Sequence, residues 1–273
     1  MQLPLNQIIC ADNVELLSQF PDECIDLTVT SPPYDNLRTY KGFNFDFEGV
    51  ANQLYRVTKQ GGVVVWVVAD ATINGSETGT SFKQALYFKE VGFNIHDTMI
   101  YAKNSYLYRS SNRYGDQFEY MFVLSKGRPK TFNPIMISCS TFGRKGIRLS
   151  SKDDYGAAPR YRGTVIAVKE KKTDHNIWIM CPSNTTYDHP AIFPKQLAHD
   201  HIISWSNEGD TVLDPFSGSG TTCEQAKETN RKYIGIDCSE EYCNIARKRL
   251  TYDMDIATDA EQLNSQDFED LIV

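Results

Sequence analysis

Apolar residues along this chain fall into short unbroken runs and longer runs at helical spacing, and the two kinds alternate. The run IDLTVT, Ile25 to Thr30, stops at Ser31-Pro32-Pro33, where proline donates no ladder hydrogen bond and disfavours a helical predecessor. A short buried strand is predicted there. The spacing predicts a helix over 46–59, with Gly61-Gly62 as its stop, and VVVWVVA (63–69) as a strand buried on both faces. A helix over 81–90 follows, then strands at 94–103 and 118–126, which together make a βαβ-type half sheet. Apart from that last strand, 104–172 keeps no steady period and reads as an irregular insertion. Helical spacing returns at 193–206, where Leu197, Ile202, Ile203 and Trp205 form an apolar stripe. A second βαβ unit closes the pattern: a strand at 211–214, the loop PFSGSGT, a helix over 220–229, a strand at 232–237 and a helix over 239–250. The fold class expected is α/β, one large sheet domain carrying an insertion, with no internal repeat.

Length and composition agree with that reading. A chain of 273 residues with 41% hydrophobic and 23% charged residues suits one core with an insertion better than two full domains, and excludes disorder and fibrous repeats. The longest apolar run, Val63 to Ala69, is far short of the roughly 20 residues needed to cross a bilayer. The first residues, MQLPLNQIICADN, lack the basic and apolar regions of a signal peptide, so a cytoplasmic protein without a membrane partner is expected. Seven scattered cysteines with no CxxC pair suggest neither disulfides nor a zinc cluster; they are expected to be buried thiols, and no metal is expected.

The net charge of −7 is at odds with a nucleic-acid partner until its distribution is read. Residues 251–273 hold seven acids and no base, an acidic tail that accounts for the whole −7. Residues 103–172 hold 15 Lys and Arg against five acids, interleaved with tyrosine and phenylalanine. Such a segment suits a polyanion, and a merely solvated basic face is the plain alternative.

Two short segments carry chemistry. DPFSGSGTT (214–222) follows a strand and opens a helix, so Gly218 and Gly220 let a ligand approach the backbone beside a helix N-terminus. Asp237 ends the next strand, where a carboxylate can accept from ribose hydroxyls, and together these make a nucleoside-binding half site. A bare tight turn is the alternative for the glycines. Bound NAD fits less well, because the third glycine of the dinucleotide spacing is missing and Asp214-Pro215-Phe216 crowds the pyrophosphate position. TSPPY (30–34) also ends a strand: two prolines stiffen the backbone and aim the Ser31 hydroxyl and a main-chain carbonyl at the sheet's carboxyl edge, with Tyr34 as a flat stacking face. By itself it is as readily an ordinary loop; its pairing with DPFSGSGTT gives it weight.

Taken together, TSPPYDNLRTY, HPAIFPKQLAHDHI (189–202), DPFSGSGTT and GIDCSEEYCNIARKRL (235–250) resemble the DNA amino-methyltransferases, over nearly the whole chain. Catalytic motif first and cofactor loop last is the permuted order of their β group. The resemblance implies a Rossmann-like sheet and S-adenosylmethionine as cofactor. It divides the chain into a catalytic half at 1–103, a target-recognition region at 104–175, a cofactor-binding half at 176–250 and the acidic tail at 251–273. It also implies transfer of a methyl group to an exocyclic base nitrogen in duplex DNA by base flipping, within DNA methylation or restriction-modification. Ser31, Pro32, Pro33 and Tyr34 then match the catalytic motif, and Asp214, Phe216, Ser217, Gly218, Gly220 and Asp237 the cofactor site. Asp12, Phe193 and Lys195 resemble adenine and methionine-carboxylate contacts, although Asp12 equally suits the cap of a helix over 13–19, and Lys195, His199 and His201 suit plain exposed helix positions. Arg144, Lys145 and Arg148 are the expected DNA contacts.

Ser-Pro-Pro-Tyr resembles the cytosine N4 enzymes, Asp-Pro-Pro-Tyr the adenine N6 ones, so cytosine N4 is expected, with adenine N6 as the alternative. An RNA methyltransferase and a non-catalytic nucleic-acid-binding protein that holds S-adenosylmethionine are further alternatives. A ring-carbon enzyme would need Pro-Cys, and Cys181-Pro182 has the reverse order. The resemblance leaves a homodimer and a cognate restriction enzyme open as partners.

Overall fold

A computed structural model describes residues 2–33, 45–104, 112–149, 163–182 and 194–251, except for the side chains of 145–149 and 163–166. In chain order the elements are β1 (Gln7–Cys10), α1 (Asn13–Ser18), β2 (Ile25–Thr30), α2 (Phe47–Val57), β3 (Thr58–Val68), β4 (Thr72–Ile73), β5 (Ser76–Glu77), α3 (Thr80–Val91), β6 (Asn94–Lys103) and β7 (Phe118–Ser125). There follow β8 (Met136–Ser138), β9 (Lys145–Leu149), β10 (Gly163–Ala167), β11 (Lys171–Thr173), β12 (Ile177–Met180), α4 (Lys195–Trp205), β13 (Thr211–Asp214), α5 (Thr221–Glu228) and β14 (Lys232–Asp237). A last helix, α6, covers 240–251.

Two compact units contain these elements. The first, Met1–Asn133 with Asn176–Val273, is built on an eight-stranded sheet of order β1-β14-β13-β2-β3-β7-β6-β12. Within this sheet, only β7 runs antiparallel to its neighbours. From β2 the chain moves through α2 to β3 on one side, and from β13 through α5 to β14 on the other. The adjacent carboxyl ends of β2 and β13 are therefore the switch point, where open parallel sheets leave a crevice for ligands.

Hydrophobic alternation fixes the layers. Val64, Trp66 and Val68 join Leu17, Val50, Leu54, Phe88 and Phe93 in one core under α1, α2 and α3. Val63, Val65 and Val67 point the other way and are equally buried, with α4 packed on that side. Such a strand, apolar on both faces, is the signature of a covered parallel sheet. The second unit, Pro134–His175, pairs β8 with β11 and β9 with β10, each antiparallel.

The strands expected at 25–30, 94–103, 211–214 and 232–237 lie where the pattern puts them. Gly61-Gly62 does not stop a helix. α2 ends at Val57, where the Thr58 hydroxyl donates to Leu54 O (2.6 Å) and Cys24 N–H takes Val57 O (2.8 Å). β3 has already begun there. Its register against β2 jumps from Ile25↔Thr58 to Leu27↔Val63, and Gly61, at φ 82°, sits in the resulting bulge with its N–H on Lys126 O. Nor are the thiols uniformly buried: all seven cysteines are free, and only Cys223 and Cys243 are fully enclosed.

His201 corrects a third expectation. It is wholly buried in α4, its ring 4.6 Å from that of Trp178 and its Nε2 3.3 Å from Met121 Sδ, while Nδ1 has no partner. Burial alone drives its pKa down to about 3. The unfolded chain takes up a proton near the ordinary value of 6.5 and the folded one does not, so stability falls as pH drops below about 6.5. Between pH 7 and 5 this group alone costs about 2 kcal/mol. Urea midpoints at the two pH values should show a shallower loss for His201→Leu than for the parent; equal slopes would exclude His201 as the source. No helix among the described residues is long and apolar enough to cross a membrane.

Candidate active site

The switch point brings the two chemical motifs together. Pairing of Val212 with Leu27 and Leu213 with Thr28 sets the ends of β13 and β2 side by side. There the Thr30 hydroxyl donates to Asp214 Oδ1 at 2.6 Å, and the Phe216 N–H reaches the same oxygen at 3.1 Å. One step along α5, the Thr222 hydroxyl donates to Val29 O at 3.1 Å. Asp214 is 2% exposed, and its burial raises its pKa to about 6 against the opposing pull of Thr30, Thr222 and the Phe216 N–H; the nearby Asp237 charge adds to the rise. Ser31, Pro32 and Pro33 follow at once, with Pro32 buried and its neighbours half-buried.

The glycine loop turns on two left-handed residues, Gly218 (φ 49°) and Gly220 (φ 83°). Ser217 N–H bonds Ile236 O, and Gly218 N–H bonds Asp237 Oδ2 at 2.9 Å, so the loop is tied to β14. The other Asp237 oxygen takes the Ser239 N–H at 2.8 Å. Burial raises the Asp237 pKa and these two donors counter it. An ionised carboxylate accepts about four hydrogen bonds, so two acceptor positions remain for hydroxyls of a ligand. The Ser217 hydroxyl is buried without a partner, and α5 starts on Gly220 with no side-chain cap. An enclosed hydroxyl lacking a partner beside a bare helix start fits a ligand carrying a carboxylate and a ribose, as S-adenosylmethionine does.

Other predicted residues surround this loop. Asp12 caps α1, accepting the Glu15 N–H at 2.9 Å, while Asn13 Nδ2 donates to Pro215 O at 3.1 Å; the capping alternative for Asp12 is thus realised beside the cofactor loop. Cys10 pairs in register with Asp237, which puts Asp12 two residues beyond that pairing. Phe216 packs edge-on against Phe45, with Trp66 behind at 6.1 Å between centroids. Lys195 opens α4 and bonds Glu224 Oε1 at 2.9 Å, and Arg249 holds the other oxygen. Burial would raise Glu224, but Arg249 and Lys195 outweigh it and leave the carboxyl below its ordinary value. Lys195 keeps most of its side chain exposed.

Tyr34 and Phe193 lie outside the described residues, as do the side chains of Lys145 and Arg148. The backbone of Lys145 and Arg148 runs in β9, opposite Ala167 and Thr164. Arg144 precedes them, exposed, in the second unit, where Lys169, Lys171 and Lys172 are exposed as well.

Sequence reasoning passed over Thr30, Asn13, Glu224 and Arg249, all of which brace the loops. A signal was present for one of them: in IDLTVT a threonine closes an otherwise apolar strand, and a buried hydroxyl needs a partner.

Comparison with known proteins adds three findings. The family described as DNA methylase, of the N6/N4 type, matches residues 25–248. "Orphan methyltransferase M.BamHII" of Bacillus amyloliquefaciens is 54% identical over 238 residues, covering 84% of this chain and 89% of that protein. Among solved structures, the cytosine-N4-specific PvuII DNA methyltransferase shares the fold at 21% identity and a TM-score of 0.64, covering 88% of this chain and 84% of that one. A DNA modification methylase from Thermus thermophilus, complexed with S-adenosyl-L-methionine, does so at 22% identity and a TM-score of 0.62, covering 90% of this chain and 93% of that one.

Proposed function

The chain belongs to the N6/N4 DNA methylase family, and from that premise we propose that it transfers a methyl group from S-adenosylmethionine to the exocyclic N4 of cytosine in duplex DNA. The observation that carries this reading is the Thr30–Asp214 hydrogen bond, which joins a Ser-Pro-Pro strand end to a glycine loop built for a nucleoside. Serine at position 31, where the adenine-type motif has aspartate, supports cytosine.

Each residue has a physical task. S-adenosylmethionine supplies a methyl group on a sulfonium, poised for direct displacement. The glycine loop admits it against the backbone, and Asp237 accepts from its ribose. An exocyclic amine is a poor nucleophile because its lone pair is delocalised into the ring. Acceptors at the Ser31 hydroxyl and the Pro32 carbonyl draw its N–H groups out of the ring plane and return the lone pair to nitrogen. No covalent bond to the protein is needed, which suits a motif with no thiol. The target base must leave the duplex, at a cost of a few kcal/mol, and Tyr34 is the stacking face assigned to it.

Residues 104–175 are assigned to target recognition, and Arg144, Lys145 and Arg148 to phosphate contact. Neutralising those three together should flatten the slope of log affinity against log salt by up to about three units, with cofactor affinity unchanged. An unaltered slope would remove this stretch from the phosphate interface. The base assignment is tested by incubating duplex DNA with tritium-labelled cofactor and analysing nucleosides by mass spectrometry. N4-methylcytosine is expected; N6-methyladenine would overturn the cytosine assignment, and label on RNA alone would overturn the substrate class.

A further inference from the structure

We propose that Thr30 is a positioning residue for methyl transfer: its hydrogen bond to Asp214 sets the distance between Ser31 and the cofactor held by the glycine loop. The inference rests on the assignment of Ser31 and that loop to catalysis, and it adds a residue that neither motif needs for contact with base or cofactor.

The geometry is specific. Thr30 and Asp214 are the last residues of adjacent parallel strands, and each is followed directly by the residues assigned to one reactant. Thr30 is 0% exposed and its hydroxyl bonds Asp214 Oδ1 at 2.6 Å. That same oxygen accepts the Phe216 N–H, the first main-chain donor of the cofactor loop after proline. A single carboxylate oxygen therefore fixes both the end of the base-binding strand and the start of the cofactor loop. A second crosslink, from the Thr222 hydroxyl to Val29 O, repeats the arrangement one residue back. Both crosslinks run between the two motifs, and both use threonine hydroxyls that lie too deep to touch a ligand.

Main-chain ladder bonds already hold β2 to β13 further down, at Leu27 and Thr28. They fix the strands but leave the loops beyond them free to splay. Displacement of reacting groups by about 1 Å can cost on the order of a hundredfold in rate while leaving binding of either reactant nearly intact. Loss of the Thr30 hydroxyl should thus appear in turnover and not in cofactor affinity.

The test compares Thr30→Ser with Thr30→Ala. Both lose the buried methyl, and only the first keeps the hydroxyl, so their difference isolates the hydrogen bond from packing. Thr30→Val, close to isosteric, is the third variant. Cofactor affinity is measured by calorimetry, kcat and KM for duplex DNA by tritium transfer, and folding by thermal midpoint. Thr30→Ser should keep kcat within about threefold of the parent, and Thr30→Ala and Thr30→Val should lose at least about tenfold in kcat with cofactor affinity within about threefold. Equal kcat for the Ser and Ala variants would overturn the proposal, as would a parallel fall of cofactor affinity and kcat. Failure of the underlying site assignment looks different: Ser31→Ala would then keep full turnover whatever the Thr30 variants do.

Discussion

Gly218→Val is expected to abolish cofactor binding. Gly218 stands at φ 49°, in the left-handed region where a β-branched side chain is strongly disfavoured. Its N–H is also the bond that ties the loop to Asp237, at 2.9 Å. Valine must either leave that conformation, which pulls the N–H off Asp237, or keep it and push a Cβ and two methyl groups outward from a loop the ligand has to approach closely. Either course removes a contact with the ribose acid or the path to it. The loss of affinity should exceed about a hundredfold, or roughly 3 kcal/mol, by calorimetry. Gly220 makes a useful contrast, because a Cβ there would stand 2.9 Å from Ala246 Cβ and strain the packing of α5 on α6. A substitution at Gly220 should lower the thermal midpoint, whereas Gly218→Val should mainly erase binding. Unchanged S-adenosylmethionine affinity in Gly218→Val would remove the loop from the cofactor site.

Ser31→Ala carries the second large effect, and it falls on rate. The hydroxyl is asked to accept a hydrogen bond from an amine whose positive charge grows only as the methyl transfers, so the interaction is stronger in the transition state than in the ground state. Removing one such preorganised group costs about a hundredfold or more in kcat. S-adenosylmethionine affinity should stay within about twofold, because the glycine loop and Asp237 are untouched. A rise in KM with kcat unchanged would make Ser31 a binding residue without a catalytic task.

Much of this site was legible in the sequence because its parts are local. A strand, a glycine turn and a helix start are contiguous in DPFSGSGTT, and the strand ends at 214 and 237 follow from short apolar runs. The contacts that lock the parts together are not local. Thr30 meets Asp214 across 184 positions of sequence, and Arg247 donates to Ile8 O across 239, which no periodicity within one segment can reveal. β1 and β12, the edge strands of the sheet, escaped notice for a related reason: each is four residues long, with only one residue fully buried in each. Gly61-Gly62 misled because a glycine pair after a helical run usually marks its end, whereas here tertiary pairing with β2 carries the strand back through the glycines to Thr58. Asp12 shows two readings converging on one place, since the residue that caps α1 starts the helix whose Asn13 holds Pro215 of the cofactor loop.

The central claim is that the Ser-Pro-Pro strand end and the glycine loop together move a methyl group to DNA. The most direct measurement is single-turnover transfer of labelled methyl from S-adenosylmethionine to duplex DNA by the parent, Gly218→Val and Ser31→Ala, with cofactor affinity determined on the same preparations. Label should appear on DNA with the parent, be absent with Gly218→Val for want of bound cofactor, and appear about a hundredfold more slowly with Ser31→Ala despite normal cofactor binding. Transfer at the parental rate by both variants would contradict the claim.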